Sequence, residues 1–306
     1  MVEINLLTPV DGLEYKKLTL SKYRGCLFNC NSENVIAVGA SNSQGEPVGL
    51  ALSYGAAPNE QKDKTIEEWF LCSIFVKDGY RRQGIGRMLW ESLSKELMLR
   101  GAGELSFQAV LRESPEKELS SFLTNMGFEK PDRVAKIFSY TCDKIMDSPF
   151  VRASLDDTFS KDERFRFVSP KELSGEALAE MRENKGDWYP EFVSPFIGWD
   201  SFNEDCTVFA IDSQNEKVAA WITAMDVNQD SYILYRTFFT REEYRDTPIG
   251  FHIFSEAVRK HLTLYPDRKV LSSVPVDNER SMRFNELFFR GTYDHISYEI
   301  VTRYIF

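Results

Sequence analysis

Along the first 144 positions, the spacing of the hydrophobic residues changes from a strand-like to a helix-like period and back. Apolar runs at 35–38, 48–52 and 69–76, separated by polar segments, predict three successive antiparallel β-strands. From 85 to 98 an apolar residue recurs at every fourth position, which predicts a helix that ends near Gly101. A strand at 105–111, a helix at 115–126 and a strand at 135–141 follow. We therefore predict a mixed α/β (α+β) domain, with a mostly antiparallel sheet flanked by helices.

The second half of the chain repeats this plan. Strand patterns recur at 165–168, 208–211, 218–223 and 231–240, and helical patterns at 177–182 and 251–264. Arg81 and Arg245 are 164 positions apart (245 − 81 = 164), and the pairs Gly86/Gly250 and Gly127/Gly291 keep the same spacing. Residues 145–164 lack a sustained period and carry many charges, which is typical of a linker. We predict two tandem domains, 1–144 and 165–306, joined by a linker at 145–164.

Composition and charge narrow the class of protein. With 42% hydrophobic and 27% charged residues in 306 positions, the chain has the composition of a globular protein of two domains. No apolar run is long enough to span a bilayer, and the first residues lack the basic stretch of a signal peptide, so we predict a cytoplasmic protein that does not bind membranes. A net charge of −10 argues against nucleic-acid binding and is compatible with a cationic substrate. The five cysteines include no C-x-x-C pair, so we predict free thiols and no metal site.

A basic, glycine-containing stretch, R-R-Q-G-I-G at 81–86, joins the third predicted strand to the first long helix. A dinucleotide fingerprint would need a third glycine where Leu89 stands, and a P-loop would need a G-x-x-x-x-G-K-[ST] motif that the chain lacks. Two interpretations remain open: a solvated turn without a ligand, or an anion site. Backbone N–H groups at the positive end of a helix dipole can bind a diphosphate, and Arg81, Arg82 and Arg87 add positive charge there.

The same stretch resembles motif A of the GNAT superfamily of acyl-CoA-dependent N-acyltransferases, V-x-x-x-[YF]-[RQ]-x-x-G-x-[GA]-x-x-[LM]. The residues that match it are Val76, Tyr80, Arg81, Gly84, Gly86 and Leu89. The order of elements also matches, including Gly127-Phe128 after the second helix. The resemblance covers residues 1–144, and the internal repeat extends it to a tandem GNAT arrangement with a degenerate second copy.

The resemblance implies acetyl-CoA as the cosubstrate, with no metal. The diphosphate of CoA would lie on the N–H groups of residues 82–87, and its pantetheine arm would pair with the strand at 74–76, where neighbouring strands splay apart. The implied binding residues are Ile74, Phe75, Val76, Arg81, Arg82, Gln83, Gly84, Ile85, Gly86 and Arg87. The implied reaction moves an acetyl or other acyl group to a primary amine of a small molecule or peptide.

An attacking amine must lose a proton, and the departing thiolate must gain one. The three histidines, His252, His261 and His295, all lie in the second half of the chain, so a carboxylate, a hydroxyl, a thiol or water is expected to carry these protons near the loop. In some relatives the base is a glutamate four residues before a cysteine, and Glu68 has this spacing from Cys72. Leu123 stands where many relatives have a tyrosine acid. Tyr140, Ser73 or water is expected to replace it, and the choice among them stays open.

The second copy departs from the motif at the glycine loop. Pro248 stands where Gly84 stands, which removes an N–H donor, and Asp246 stands where Arg82 stands, which adds a negative charge. We predict that this copy does not bind CoA and that it packs against the first copy, completes the acceptor pocket or mediates a homodimer.

The predicted function is that of an N-acetyltransferase. The alternative is a catalytically inactive relative that binds CoA or another protein.

Overall fold

The computed structural model describes residues 2–56, 68–155, 163–227 and 231–306. The chain divides into two compact units, the first formed by Met1–Val134 and Tyr298–Phe306 and the second by Ala135–Ser297. Both units are mixed α/β structures with mostly antiparallel sheets, as predicted. Among the described residues, no helix combines the length and the apolar character needed to cross a bilayer.

The strands and helices are numbered in chain order. The strands are β1 (Glu3–Leu6), β2 (Val35–Ser41), β3 (Pro47–Gly55), β4 (Trp69–Val76), β5 (Glu104–Leu111), β6 (Asp132–Tyr140), β7 (Phe165–Val168), β8 (Val208–Asp212), β9 (Lys217–Val227), β10 (Tyr232–Thr240), β11 (Lys269–Pro275) and β12 (His295–Ile305). The helices are α1 (Pro9–Gly12), α2 (Ile85–Leu99), α3 (Glu113–Asn125), α4 (Cys142–Met146), α5 (Pro149–Leu155), α6 (Gly175–Glu183), α7 (Ile249–Leu264) and α8 (Glu279–Phe289). Short 3₁₀ segments include Leu13–Leu18, Ser21–Asn29, Asp78–Tyr80, Pro170–Glu172, Glu191–Val193, Trp199–Ser201 and Glu242–Tyr244.

The sheet of the first unit is buried on both faces where α2 and the 3₁₀ segments cover it. Because successive strand residues point to opposite faces, Ile36 and Val38 of β2 pack toward α2, whereas Val35 and Ala37 pack toward the segments at 13–29. The helical stripe that the sequence predicts faces the sheet, and each of its members is at most 2% exposed: Ile85, Leu89, Leu93 and Leu97. Burying each such side chain stabilises the unit by roughly 1.5–3 kcal/mol.

The two copies exchange one strand each. In the first unit β5 pairs antiparallel with β12, from Glu104↔Ile305 to Leu111↔Tyr298. The strand predicted to close the first domain, β6, pairs instead with β11 in the second unit, from Ala135↔Pro275 to Tyr140↔Val270. The units therefore differ from the predicted domains 1–144 and 165–306. A period-two pattern indicates that a strand exists but not which strand it pairs with.

The predicted linker at 145–164 is helical over the part that the structure describes. It contains the end of α4 and the whole of α5, and Ile145 and Val151 are buried in the core of the second unit. Residues 156–162 lie outside the described residues. Helices of five and seven residues bury too few side chains to produce a recognisable period, which explains the difference.

The duplication extends to a backbone irregularity in the fourth strand of each copy. In the first unit Leu52 pairs with Ser73 and Ser53 with Leu71, so Cys72 is an extra residue in β4. In the second unit Ala224 pairs with Tyr235 and Thr223 with Thr237, so Arg236 is an extra residue in β10. The two bulges are 164 positions apart (236 − 72 = 164), the same offset as the sequence repeat.

Candidate functional site

A gap opens beside β4 in the first unit. The parallel strands β4 and β5 pair only at Trp69↔Leu105 and Phe70↔Ser106, although each strand is eight residues long. The bulge at Cys72 follows directly, and a bulge bends and twists its strand. From Leu71 onward this edge of β4 has no strand neighbour among the described residues.

The free edge of β4 presents backbone hydrogen-bonding groups. The N–H of Lys77 donates to the carbonyl of Val48 at 2.9 Å, toward β3. Since the backbone groups of an antiparallel strand alternate between its two edges, those of Val76 and Ile74 face the gap. The Val76 carbonyl accepts a hydrogen bond from Nε of Arg81 at 2.9 Å. The groups of Ile74 are thus in position to pair with an extended ligand.

The loop before α2 leaves the helix start uncapped. Arg82 (φ +62°) and Gly84 (φ +81°) both have left-handed backbone conformations. No side chain caps α2, and its first turn has no acidic residue. The first hydrogen bond of the helix runs from Met88 N–H to Gly84 O at 3.1 Å, so the preceding N–H groups, those of residues 85–87, have no acceptor within the helix. A helix start with free N–H groups can bind an anion.

The loop, the free edge of β4 and α3 surround a cavity of about 710 Å³. At the position of Gly84 an added Cβ would meet no atom within 4 Å, so the loop backbone is open on that side. At Gly86 a Cβ would lie 3.2 Å from the Phe122 ring, so a glycine allows α2 and α3 to approach closely. The cavity is lined by Ile74, Phe75, Val76, Tyr80, Arg81, Arg82, Gly84, Ile85, Gly86, Arg87, Leu111, Pro115, Glu118, Leu119, Phe122, Asn125 and Met126.

The structure brings the predicted CoA-binding residues to this cavity with the exception of Gln83, whose side-chain amide donates to the Gly79 carbonyl at 3.2 Å. Arg81 lines the cavity, but its guanidinium is paired with Asp78 (2.8 Å) and with the Val76 carbonyl, so it fastens the loop to β4. Arg82 and Arg87 are exposed, and neither has an ion-pair partner within the described ranges. These two side chains therefore supply the free positive charge at the helix start.

The wall contributed by α3 was not predicted from the sequence. Leu119, Phe122 and Met126 belong to a helical stripe whose spacing indicates core packing, but only Leu123 of that stripe is fully buried. The other three face the cavity because β4 and β5 diverge beneath them. The apolar stripe of α3 was visible in the sequence. Its exposure to a cavity was not, because no sequence pattern indicates where two parallel strands stop pairing.

Two of the catalytic candidates lie away from this cavity. Glu68 is exposed at the residue before β4, and its Cα lies roughly 10 Å from that of Leu71, where the gap begins, and roughly 20 Å from that of Ile74. Glu68 can therefore reach the gap only through water. Tyr140 is fully buried in the second unit, where its hydroxyl donates to Oδ1 of Asn285 at 3.4 Å and burial raises its pKa far above the usual value. This environment does not support the predicted role of Tyr140 as an acid.

The other side chains considered for proton transfer are also engaged. The Ser73 hydroxyl donates to the Leu18 carbonyl at 3.2 Å. Burial, and to a smaller extent the neighbouring Cys26 thiol, raise the pKa of the Cys72 thiol to about 12, so a Cys72 thiolate is disfavoured at neutral pH. Leu123, at the position of the family tyrosine, is 0% exposed and has no hydroxyl. Of the predicted proton carriers, water remains.

The equivalent loop of the second unit has a different geometry. Pro248 precedes α7 with φ −74°, and the Ile249 N–H donates to the Thr247 hydroxyl at 3.4 Å. The Thr247 N–H is itself bonded to the Tyr244 carbonyl at 3.1 Å. Phe238, at the offset of Ile74, would lie 3.4 Å from a Cβ at Gly250. An aromatic side chain thus packs beside the start of α7.

Neither unit shows a metal-binding cluster: in the described part of the chain, no group of three His, Cys, Asp or Glu residues could hold an ion. The five cysteines are free thiols.

Comparisons with known proteins agree with this geometry. Residues 6–117 match the acetyltransferase (GNAT) family. A tandem GNAT protein from the clavulanic acid biosynthesis pathway has a TM-score of 0.66 at 14% identity, over 100% of this chain and 98% of that one. A GCN5-related N-acetyltransferase from Sphaerobacter thermophilus has a TM-score of 0.55 at 14% identity, over 99% of this chain and 95% of that one. No curated protein matches the sequence.

A third solved structure is a fungal GCN5-related glucosamine N-acetyltransferase region, with a TM-score of 0.61 at 14% identity. This chain is covered over 99% of its length, against 38% of that multi-domain protein. Residues 6–117 are thus similar to the GNAT family of acetyltransferases, and the whole chain has the fold of tandem GNAT proteins.

Proposed function

We propose that the first unit binds acetyl-CoA and transfers its acetyl group to a primary amine of a small molecule or peptide. The observation that carries the proposal is the uncapped start of α2, with Gly84 at φ +81°, opening into the cavity that continues to the free edge of β4. The two ends of this cavity suit the two parts of CoA. Free N–H groups and two arginines lie at one end, and apolar side chains with strand backbone lie at the other.

Residue roles follow from this placement. The N–H groups of residues 85–87, with the side chains of Arg82 and Arg87, bind the diphosphate, and the backbone of Ile74 pairs with the amides of the pantetheine arm. When bound, acetyl-CoA supplies an acetyl group activated as a thioester. Ordered water takes the proton of the amine, since Glu68 is too far from the gap to do so directly, and water also returns a proton to the leaving thiolate.

Two measurements test the proposal. Calorimetric titration with CoA and acetyl-CoA should give binding, and absence of binding at millimolar concentration would refute it. Thiol release from acetyl-CoA is then followed over a panel of amines, amino acids, polyamines and aminoglycosides, against a reaction without acceptor. Acceptor-dependent release supports the transferase.

A second candidate function is that of a catalytically inactive protein that binds CoA or another protein. It is favoured by one observation, the fully buried leucine at position 123 in place of a tyrosine. Tight CoA binding without turnover across the whole panel would support this candidate and refute the first.

A further inference from the structure

Two aromatic rings stack beside the point where the β4 gap begins. Tyr54 and Phe70 are paired across β3 and β4, with ring centroids 5.2 Å apart and an interplanar angle of 23°. Both side chains are half-buried. Tyr54 packs against the cluster under the 3₁₀ segments, on the face of the sheet opposite α2. Phe70 belongs to none of the apolar clusters of the described residues, and its side chain is partly exposed.

Among the described residues, the carboxylate of Glu68 lies next to this ring pair. The Ala56 N–H donates to the Glu68 carbonyl at 3.0 Å, so the β3–β4 pairing continues to Glu68 and its side chain lies on the same face as Phe70. Glu68 is exposed and has no ion pair within the described ranges. Burial is the main cause that raises the pKa of Tyr54, and the negative charge of Glu68 is among the further causes, which agrees with a carboxylate close to the phenol.

From these positions we propose that the acceptor is an elongated dication, with one amine at the gap and a second ammonium held between the Glu68 carboxylate and the Phe70 ring. The inference rests on the proposed function, because the gap is the place where the acyl group would be transferred. A carboxylate and an open aromatic face both attract an ammonium. The free edge of β4 starts three to four residues beyond Glu68, so the two cations are separated by roughly 10–13 Å.

A lysine on the neighbouring Tyr23 ring favours this arrangement over one centred on Tyr23. Nζ of Lys22 lies 4.6 Å from the centroid of the Tyr23 ring, so that ring already has a cation. Phe70 is partly exposed, and within the described ranges neither a cation on its ring nor an ion pair of Glu68 is present. A zwitterionic acceptor, with its own carboxylate directed to Lys22, is the competing chemistry that the experiment must separate.

The test uses three acceptors of equal chain length that differ only at the far end: diaminooctane, octylamine and aminooctanoic acid. The initial rate of thiol release at saturating acetyl-CoA gives kcat/KM for each. We expect diaminooctane to exceed octylamine by about tenfold, as for one charge-assisted contact, and aminooctanoic acid to be the poorest acceptor. Equal values for the three, or a preference for aminooctanoic acid, would overturn the inference and leave the transferase function intact.

Substitutions at Glu68 sharpen the result. Glu68→Gln should lower kcat/KM for the diamine to the value for octylamine, and Glu68→Lys should shift the preference to aminooctanoic acid. Phe70→Leu should raise KM for the diamine with little change in kcat. Glu91→Gln, an exposed carboxylate on α2, is the matched control and should change nothing. If Glu68→Gln slows all three acceptors equally, the residue acts as the base and the inference is wrong.

Direct binding provides a readout that does not require turnover. Saturation-transfer NMR with wild-type protein and CoA should show contact between diaminooctane and the protein, and Glu68→Gln should reduce it. Failure of CoA itself to bind refutes the proposed function. Normal CoA binding without diamine contact refutes only the dication inference.

Discussion

The starts of α2 and α7 occupy equivalent places in the two copies, but they differ in what their N–H groups contact. Before α2 the left-handed residues Arg82 and Gly84 leave the helix uncapped and open to a cavity. Before α7, Pro248 removes one donor and the Thr247 hydroxyl accepts the Ile249 N–H. The same arrangement of strands and helices therefore leaves the first N–H groups of α2 open to a cavity, whereas the first N–H group of α7 is bonded to a neighbouring hydroxyl.

The space beside the two helix starts differs as well. In the first unit Ile74 lines the cavity, whereas Phe238 at the same offset stacks on Phe284 with ring centroids 5.4 Å apart. Phe284 in turn contacts Phe254 of α7, with centroids 5.5 Å apart. The two copies therefore retain one fold although they differ in a few residues at a helix start and a strand edge.

The largest effect is expected from exchanging the residues that distinguish the two loops. Gly84→Pro forces a φ near −65° at a position that needs +81°, so CoA affinity should fall by more than about 100-fold. Gly84→Ala, which is strained but keeps the N–H, should lose less. Pro248→Gly should change CoA affinity by less than about twofold. Calorimetric titration measures the CoA affinity of all three variants. Similar losses of affinity for Gly84→Pro and Pro248→Gly would contradict the assignment of the site to the first unit.

A core substitution in β12 should affect the first unit alone. Ile300 is fully buried in the core beneath α2, and Ile300→Ala should lower the free energy of unfolding by about 2–4 kcal/mol through the cavity it leaves. Faster hydrogen exchange in α2 and β5 should accompany this loss. Val270→Ala in β11 is the counterpart in the second unit and should leave exchange in α2 unchanged. Faster exchange in α2 in both variants would show that the units do not unfold separately.

Removing the free positive charge should have a smaller effect. Arg82→Ala or Arg87→Ala should weaken CoA binding by about five- to tenfold, and less at high salt because the contact is electrostatic. Arg245→Ala, at the equivalent position to Arg81 in the second copy, should leave affinity unchanged. Titrations at two salt concentrations measure this, and a salt-independent loss would point to packing instead of charge.

The smallest expected effect is a difference in pH response. All three histidines lie in the second unit, and burial lowers the pKa of His261, whose Nε2 lies 3.1 Å from the Arg268 carbonyl. Because His261 binds a proton less readily when folded than when unfolded, the stability that it contributes is complete above its unfolded pKa, about 6.5. That stability is lost as the pH falls through the lower folded pKa. Hydrogen exchange between pH 7 and 5 should show the loss in peptides of the second unit, and His261→Gln should abolish it.

Much of this architecture follows from local patterns. The strand at 69–76 and the helix from 85 have the predicted bounds, because period and capping are local properties of the chain. The glycine loop was likewise predictable, since Gly84 and Gly86 are required by a positive φ and a close ring contact. These features depend on residues near one another in sequence.

Non-local properties could not be predicted in this way. Nothing in β6 distinguishes a strand that pairs with β11 from one that pairs with its own half, and the pairing is decided by the register and by side chains far along the chain. Tyr140 was predicted as a proton donor near the glycine loop, but it lies in the second unit because β6 belongs mainly to that unit. The α3 wall of the cavity depends on the divergence of β4 and β5, which is again a tertiary property.

The pairing of β5 with β12 also has a consequence for the order of biosynthesis. Glu104 and Ile305 are partners although 201 positions separate them (305 − 104 = 201). The whole second unit is therefore translated before β5 can pair with β12, its antiparallel neighbour. Contacts of such long sequence separation slow folding and leave a strand edge exposed in the nascent protein. The first copy therefore cannot complete its sheet until the second copy has been translated.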